Sequence, residues 1–299
     1  MQVAALVNTR SGSGLGRQVQ ADLSSAGVPS ALLTDGLDVG AWVDGALAGG
    51  AEVLLAAGGD GTIASVAQAA AGRAPLVVVP VGTRNHFAVD LGLDPGDPVA
   101  TMRACLAGSP RRVDLGVLNG DVFLNNVSFG IYASAVSDPS YRSGRLRVMA
   151  RTARAAVSGR GQTAQIRTPV PVDVPPGARI GAILVSNNSY DFAAAPGQKL
   201  RATLDSGRLW VYLLGTPRAL GRLPLLRAIQ EMVTTGSVSL GTWQVGDLEF
   251  DSDRLVPVAC DGEYRPAVTP PYRLSSRPGA LEVLVPAATA STSTLTMQW

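Results

Sequence analysis

Glu52–Ala71 reads EVLLAAGGDGTIASVAQAAA, and the order of its parts decides the fold. Val53–Ala57 is a short apolar run of strand length, and Ile63–Ala71 is an alanine-rich run of helical type. Between them lie Gly58, Gly59, Asp60, Gly61 and Thr62. A strand that feeds glycines and a hydroxyl into a helix N-terminus is built to meet phosphate. The glycines let the backbone approach closely, and the first helical N–H groups carry positive potential. Asp60 adds a second chemistry. A carboxylate beside phosphate is repelled unless a metal ion or a proton in transit lies between them. Phosphoryl transfer fits that pairing better than passive phosphate binding.

Similar units lie on either side. Val3–Val7 is a strand followed by the loop Asn8–Gly14 and a helix near Gly16–Ala26. Ser30–Leu33 is a second strand ending at Thr34, and a helix near Val39–Ala48 leads into Val53. Pro75–Pro80 (PLVVVP) is a continuous β-branched run that suits a strand covered on both faces. Alternating strands and helices predict a parallel sheet with right-handed crossovers. The loops Asn8–Gly14, Gly58–Thr62 and Val81–Asn85 then share the C-terminal edge, where open parallel sheets bind ligands.

The pattern changes near Arg112. Val113–Leu118 and Val122–Val127 flank Asn119-Gly120, a strong hairpin signal. Further strands are expected at Thr163–Thr168, Ile180–Ser186, Leu209–Leu214, Val238–Leu240, Trp243–Phe250, Val256–Cys260 and Ala280–Leu284. Helices are expected around Arg145–Ser158 and Leu220–Thr234. The fold class is therefore an α/β nucleotide-binding domain at 1–112 plus a β-rich, antiparallel, sandwich-like domain at 113–280. The segment from about 281 to 299 is assigned to pack back on the first domain, with a loosely ordered polar tail from Ala287.

Composition narrows the chemistry. The 299 residues are 46% hydrophobic and 16% charged, which argues for large buried cores. The net charge of +2 gives no nucleic-acid footprint. Lys199 is the only lysine, which excludes a Walker-type Gly-Lys-Ser/Thr loop. His86 is the only histidine, which excludes an HExxH zinc site. Cys105 and Cys260 lack metal-site spacing and point to a reduced, cytosolic setting. The N-terminal stretch has no signal-peptide pattern, and no apolar run reaches transmembrane length. With lysine and histidine this scarce, a carboxylate is the natural base for activating an alcohol.

Four segments in order, Val7–Gly14 (VNTRSGSG), Gly58–Ile63 (GGDGTI), Pro80–Ala88 (PVGTRNHFA) and Asp261-Gly262-Glu263, resemble the diacylglycerol kinase catalytic-domain superfamily of lipid kinases. The resemblance covers nearly the whole chain. It implies an NAD kinase/phosphofructokinase-like nucleotide domain and a β-rich lipid domain enclosing a cleft. ATP and Mg²⁺ would be the co-substrate and metal. Asn8, Ser11, Gly12, Gly14, Thr34, Gly58, Gly59, Asp60, Gly61, Thr62, Thr83 and Asn85 would form the nucleotide pocket. Glu263, with Asp261 beside it, matches the proton acceptor, and Asp60 joins them as a catalytic and metal residue. Asp205, in Asp205-Ser206-Gly207, stands where relatives carry Asp-Asp-Gly and a structural magnesium site.

The chain departs from the family pattern at Ala64 and Ser65, where relatives carry Asn-Glu, and at Arg84 and His86 within the third segment. The implied partners are a lipid substrate and, transiently, the inner face of the cytoplasmic membrane. Arg147, Arg151 and Arg154 share one helical face that suits anionic headgroups or plain solvent equally. A homodimer is compatible with the sequence. Two other readings stay open: a soluble-substrate kinase of NAD kinase type, and a non-catalytic nucleotide- or lipid-binding relative.

Overall fold

The computed structural model describes residues 1–11, 14–130, 133, 164–166, 180–191, 201–215, 239–252 and 255–287. Strands β1 (Val3–Val7), β2 (Ser30–Leu32), β3 (Val53–Gly58) and β4 (Leu76–Pro80) pair in parallel in the order β2-β1-β3-β4. Helices α1 (Leu15–Ser25), α2 (Val39–Ala48) and α3 (Asp60–Ala70) connect them. Every residue of β3 and β4 is buried, as expected of central parallel strands covered on both faces. Asp38 caps α2 by accepting from the Ala41 N–H at 3.0 Å. Helices α4 (His86–Leu91) and α5 (Pro98–Leu106) follow β4, and Asp97 caps α5 in the same way.

Beyond α5 the pairing is antiparallel. Strand β5 (Ser109–Leu118) turns into β6 (Asp121–Phe123) through Asn119 and Gly120, both at positive φ (49° and 101°). That is the geometry the Asn-Gly signal encodes. The long last strand β15 (Tyr272–Val285) runs beside β5 for most of its length. Its other neighbours are β12 (Asp247–Ser252) near its start and β4 near its end, where Val283 and Leu284 lie parallel to Leu76 and Val77. Strand β8 (Ala164–Ile166) adds to β12, completing a nine-stranded mixed sheet.

A second, antiparallel sheet runs β11-β10-β9-β7-β13-β14. Its strands are Ser239–Val245 (β11), Leu209–Gly215 (β10), Ile180–Asn187 (β9), Asn126–Gly130 (β7), Val258–Cys260 (β13) and Glu263–Tyr264 (β14). Phe123, Phe129, Phe250, Tyr272 and Trp243 belong to one buried cluster with residues of both sheets. Phe129 and Phe250 meet edge to face at 4.8 Å. A separate cluster fills the space between the parallel strands and their helices.

Four expected strands are redrawn, and Val238–Leu240 is one of them, since it continues through Trp243 in β11. Val122–Val127 is not one strand: β6 ends at Phe123, and β7 begins at Asn126 in the other sheet. Trp243–Phe250 likewise breaks at Gly246, where the chain passes from β11 in one sheet to β12 in the other. A change of sheet leaves the apolar pattern continuous, so periodicity alone does not reveal it. Ala280–Leu284 is only the end of β15, which is bulged between Arg277 and Leu281. The expected helices around Arg145–Ser158 and Leu220–Thr234, with Arg147, Arg151 and Arg154, lie outside the described residues, as do Gly12, Lys199 and the tail from residue 288. Among the described residues no helix is long and apolar enough to cross a membrane.

Candidate active site

Strands β1, β3 and β4 are neighbours, so the loops at their C-terminal ends meet. Gly58 closes β3, and Gly59 caps α3 in extended conformation, so Asp60, Gly61 and Thr62 form the first turn of the helix. Their N–H groups belong to the set that an α-helix cannot satisfy internally. The side chain of Asn8 crosses from the β1 loop and donates from Nδ2 to Thr62 Oγ1 at 3.2 Å. Ser11 comes close to the same turn: its Oγ would lie 3.6 Å from a Cβ on Gly59. Gly14, at φ 82°, caps α1 at the far side of that loop. Thr34 is exposed just past β2, and its neighbour Asp35 is tied to Arg10 of the first loop by a two-pronged ion pair at 2.6 and 2.9 Å.

The β4 loop packs directly on the glycine turn. A Cβ on Gly82 would collide with the backbone of Gly59, so these loops touch main chain to main chain. Asn85 is buried, sits at φ 51°, and closes its own loop: Oδ1 accepts from Gly82 N at 2.9 Å, and Nδ2 donates to Gly82 O at 2.8 Å. Asn85 therefore shapes the pocket wall, and Thr83 stands exposed at the loop tip.

Asp60 is buried at the floor of this arrangement. Its Oδ2 accepts from the His86 N–H and its Oδ1 from the Phe87 N–H, both at 3.1 Å, so it anchors the start of α4. Each carboxylate oxygen keeps a second lone pair. That leaves Asp60 able to meet a water or cation on the phosphate side. His86 is pushed below the usual histidine range by burial, which outweighs the opposing charges of Asp60 and Asp90.

The distant hairpin closes the site. Asp261 and Gly262 adopt positive φ (49° and 79°) and turn β13 into β14. The turn also delivers Glu263 to the phosphate loop. A Cβ on Gly61 would lie 2.5 Å from Glu263 Oε1, so the carboxylate rests directly over the first turn of α3. Glu263 is half exposed, and Arg265 Nη2 is 3.7 Å from its Oε2. Arg84 reaches the same hairpin from the β4 loop: its Nη1 would lie 3.2 Å from a Cβ on Gly262.

Asp261 has a different task from Glu263. Its carboxylate accepts from the N–H groups of Leu124, Asn125 and Asn126 at 2.8, 2.7 and 3.1 Å. It thus pins the segment where the chain changes sheets. Burial and the nearby charge of Asp60 push it up to about 6, against the pull of those three N–H bonds. Asp205 is exposed, with its carboxylate bonded to Thr203 Oγ1. The backbone beside it is taken up elsewhere, Ser206 N by Asn188 Oδ1 at 2.8 Å and Gly207 N by Asp114 Oδ2 at 2.7 Å. Among the described residues, no group of three His, Cys, Asp or Glu side chains is placed to hold a metal ion.

Two buried charges that hold the framework carry no motif. Asp114 holds Gly207 N and Gly279 N on its two oxygens, at 2.7 and 2.8 Å. Arg201 is fully buried against Asp90. The available signal is a charged residue inside an apolar strand, as in Val113-Asp114-Leu115, which marks a buried polar partner.

The family model of the diacylglycerol kinase catalytic domain matches residues 2–118, the stretch that holds the three glycine loops. The chain is 31% identical over 261 residues to a Pseudomonas aeruginosa (strain UCBPP-PA14) protein named "Probable lipid kinase YegS-like", covering 82% of this chain and 80% of that one. The chain belongs to the diacylglycerol kinase catalytic-domain family. It is a kinase. The kinase is also 40% identical over 77 residues to the diacylglycerol kinase of Bacillus subtilis, covering 25% of each chain. Among solved structures, a diacylglycerol kinase from Bacillus anthracis str. Sterne superposes with a TM-score of 0.68 at 17% identity, over 95% of the kinase and 96% of that chain. That likeness establishes the shared two-sheet fold.

Proposed function

We propose that the kinase transfers the γ-phosphate of ATP to a hydroxyl of a diacylglycerol-like lipid. The observation that carries this reading is the contact of Glu263 with Gly61. A carboxylate standing over a phosphate-binding helix turn is placed to take the proton of an attacking alcohol. In this reading the acceptor O–H gives its proton to Glu263 as its oxygen bonds to the γ-phosphorus. The bond from that phosphorus to the β–γ bridging oxygen breaks, and ADP leaves. Such transfer relies on positioning and charge neutralisation more than on covalent chemistry.

The chain's own residues divide the work. The N–H groups of Gly61 and Thr62 face the phosphates, and Asn8 fixes the Thr62 hydroxyl. Ser11, Thr34 and Thr83 line the nucleotide side. Arg84 supplies a cation between the β4 loop and the hairpin. Mg²⁺ fits here as an ion held mainly by the nucleotide's phosphates and water, with Asp60 as its protein contact. When bound, it would neutralise phosphate charge. Residues 1–112, with the segment from about 281, would carry ATP, and 113–280 the lipid. Transient contact with the inner membrane face follows from a lipid substrate, and a homodimer is consistent with the fold.

The test is to incubate the protein with ATP and a bacterial lipid extract, then identify new phosphorylated lipids by mass spectrometry, with NAD as a parallel acceptor. Phosphate appearing on a glycerolipid hydroxyl is the expected result. NADP as the only product would replace this reading with a soluble-substrate kinase.

A further inference from the structure

Arg201 is the largest fully buried side chain among the described residues, and no motif points to it. Its guanidinium is divided between two parts of the molecule. Toward α4, Nε donates to Asp90 Oδ2 at 2.7 Å, and the Arg201 backbone N–H donates to Asp90 Oδ1 at 3.2 Å. Toward the sheet crossing, Nη1 donates to Leu124 O at 2.6 Å and to Asn187 O at 3.0 Å, and Nη2 donates to Asn125 Oδ1 at 2.7 Å.

Each side leads in one step to an acid of the site. Asp90 lies in α4, whose first two N–H groups hold both oxygens of Asp60. Leu124 and Asn125 present their carbonyl and side chain to Arg201 and their N–H groups to Asp261, which precedes Glu263 in the hairpin by two residues. The peptide at 124–125 is thus clamped between a buried cation and a carboxylate. We propose that Arg201 is the positioning residue that sets Asp60 and the Asp261–Glu263 hairpin in register across the cleft.

The physical basis is the shape of the guanidinium. Its planar fork fixes several partners at once, whereas a lysine ammonium is a point charge on a flexible stem. Arg201→Lys therefore keeps the charge beside Asp90 and gives up the simultaneous hold on Leu124 and Asn125. The inference rests on the reading that Asp60 and Glu263 serve one site.

The test compares Arg201→Lys, Asp90→Asn and a control, Val43→Ala, which opens the core at α2, outside the Arg201 hydrogen-bond network. Two readouts are taken: amide hydrogen exchange, and phosphoryl transfer at saturating ATP. In Arg201→Lys, protection at Leu124, Asn125 and Asn126 is expected to fall at least tenfold more than in the control, together with protection at His86 and Phe87. In Asp90→Asn, only His86 and Phe87 lose protection, because Arg201 still holds Leu124. The rate constant kcat falls at least tenfold in Arg201→Lys, with KM for ATP within threefold, and stays within twofold in the control. That drop in kcat at little-changed KM, read against the control, is what a purely structural role would not produce.

The proposal is overturned if protection falls equally at both places in Asp90→Asn, or if Arg201→Lys matches the control. Should Arg201→Lys fail to fold, the Asp90→Asn pattern decides alone. Should the wild type transfer phosphate to no lipid, the functional reading fails while the exchange comparison still judges Arg201.

Discussion

Gly61→Ala separates catalysis from stability at one atom. Gly61 is in the first turn of α3 and not in a left-handed conformation, so alanine fits the backbone there. Alanine favours a helix over glycine by at most about 1 kcal/mol. The new Cβ would lie 2.5 Å from Glu263 Oε1, 2.9 Å from Cδ and 3.1 Å from Oε2, where ordinary contact begins near 3.4 Å. Every atom it meets belongs to the end of one flexible, half-exposed side chain, so Glu263 swings away by about 0.9 Å and the backbone stays. A displacement of about 1 Å from reactive geometry costs roughly 10²-fold in rate, equivalent to about 2.7 kcal/mol of barrier. The expected outcome is a kcat about 100-fold lower, KM for ATP nearly unchanged, and a melting temperature equal to or slightly above that of the wild type. Initial rates of labelled phosphate transfer and a thermal melt supply both numbers. A variant within twofold of wild-type kcat would refute the role given to Glu263, and a large loss of stability would refute the packing argument.

Gly82→Ala behaves oppositely, because its Cβ meets the Gly59 backbone; overpacking of this kind costs about 1–3 kcal/mol, read from chemical denaturation. Asn8→Ala removes the bond to Thr62 Oγ1, and a stability loss of about 0.5–1.5 kcal/mol with a several-fold higher KM for ATP is expected from titration and kinetics. His86 is lowered in the folded protein by burial among Asp60, Asp90, Arg84 and Arg201, so the unfolded chain takes up a proton first as pH falls. Its contribution is fully present above its ordinary range near pH 6.5 and declines below it. Denaturation midpoints of His86→Gln should therefore fall less steeply between pH 7 and pH 5 than those of the wild type, and an identical slope would contradict the assignment.

The parts legible in the sequence are those written locally. Gly58–Thr62 announced a strand, a turn and a helix N-terminus within a few residues, and Asn119-Gly120 announced its own hairpin. The Asp261-Gly262 turn was equally legible, but its landing place on Gly61 was not, since that contact depends on the path of two sheets. The resemblance to the family supplied Glu263; periodicity did not. Residues with two roles show only one in the sequence. The motif points Asp60 to phosphate chemistry, and it also anchors α4. The resemblance sets Asp261 beside the base, and its oxygens also hold the sheet crossing. Arg201 and Asp90 are not legible in the sequence because one buried ion pair between distant residues leaves no spacing pattern. The break at Gly246 is not legible because a strand can change sheets without changing its alternation.

The contact between Glu263 and the α3 turn is the centre of the mechanism. The direct measurement is the rate at which γ-labelled phosphate enters the chloroform phase, for the wild type and Glu263→Gln at saturating ATP and diacylglycerol. Loss of a positioned base costs about 10²–10⁴-fold. The expected result is label in lipid for the wild type, a rate lower by that factor for Glu263→Gln, and ATP affinity unchanged within twofold. A Glu263→Gln protein that labels lipid at the wild-type rate would contradict it.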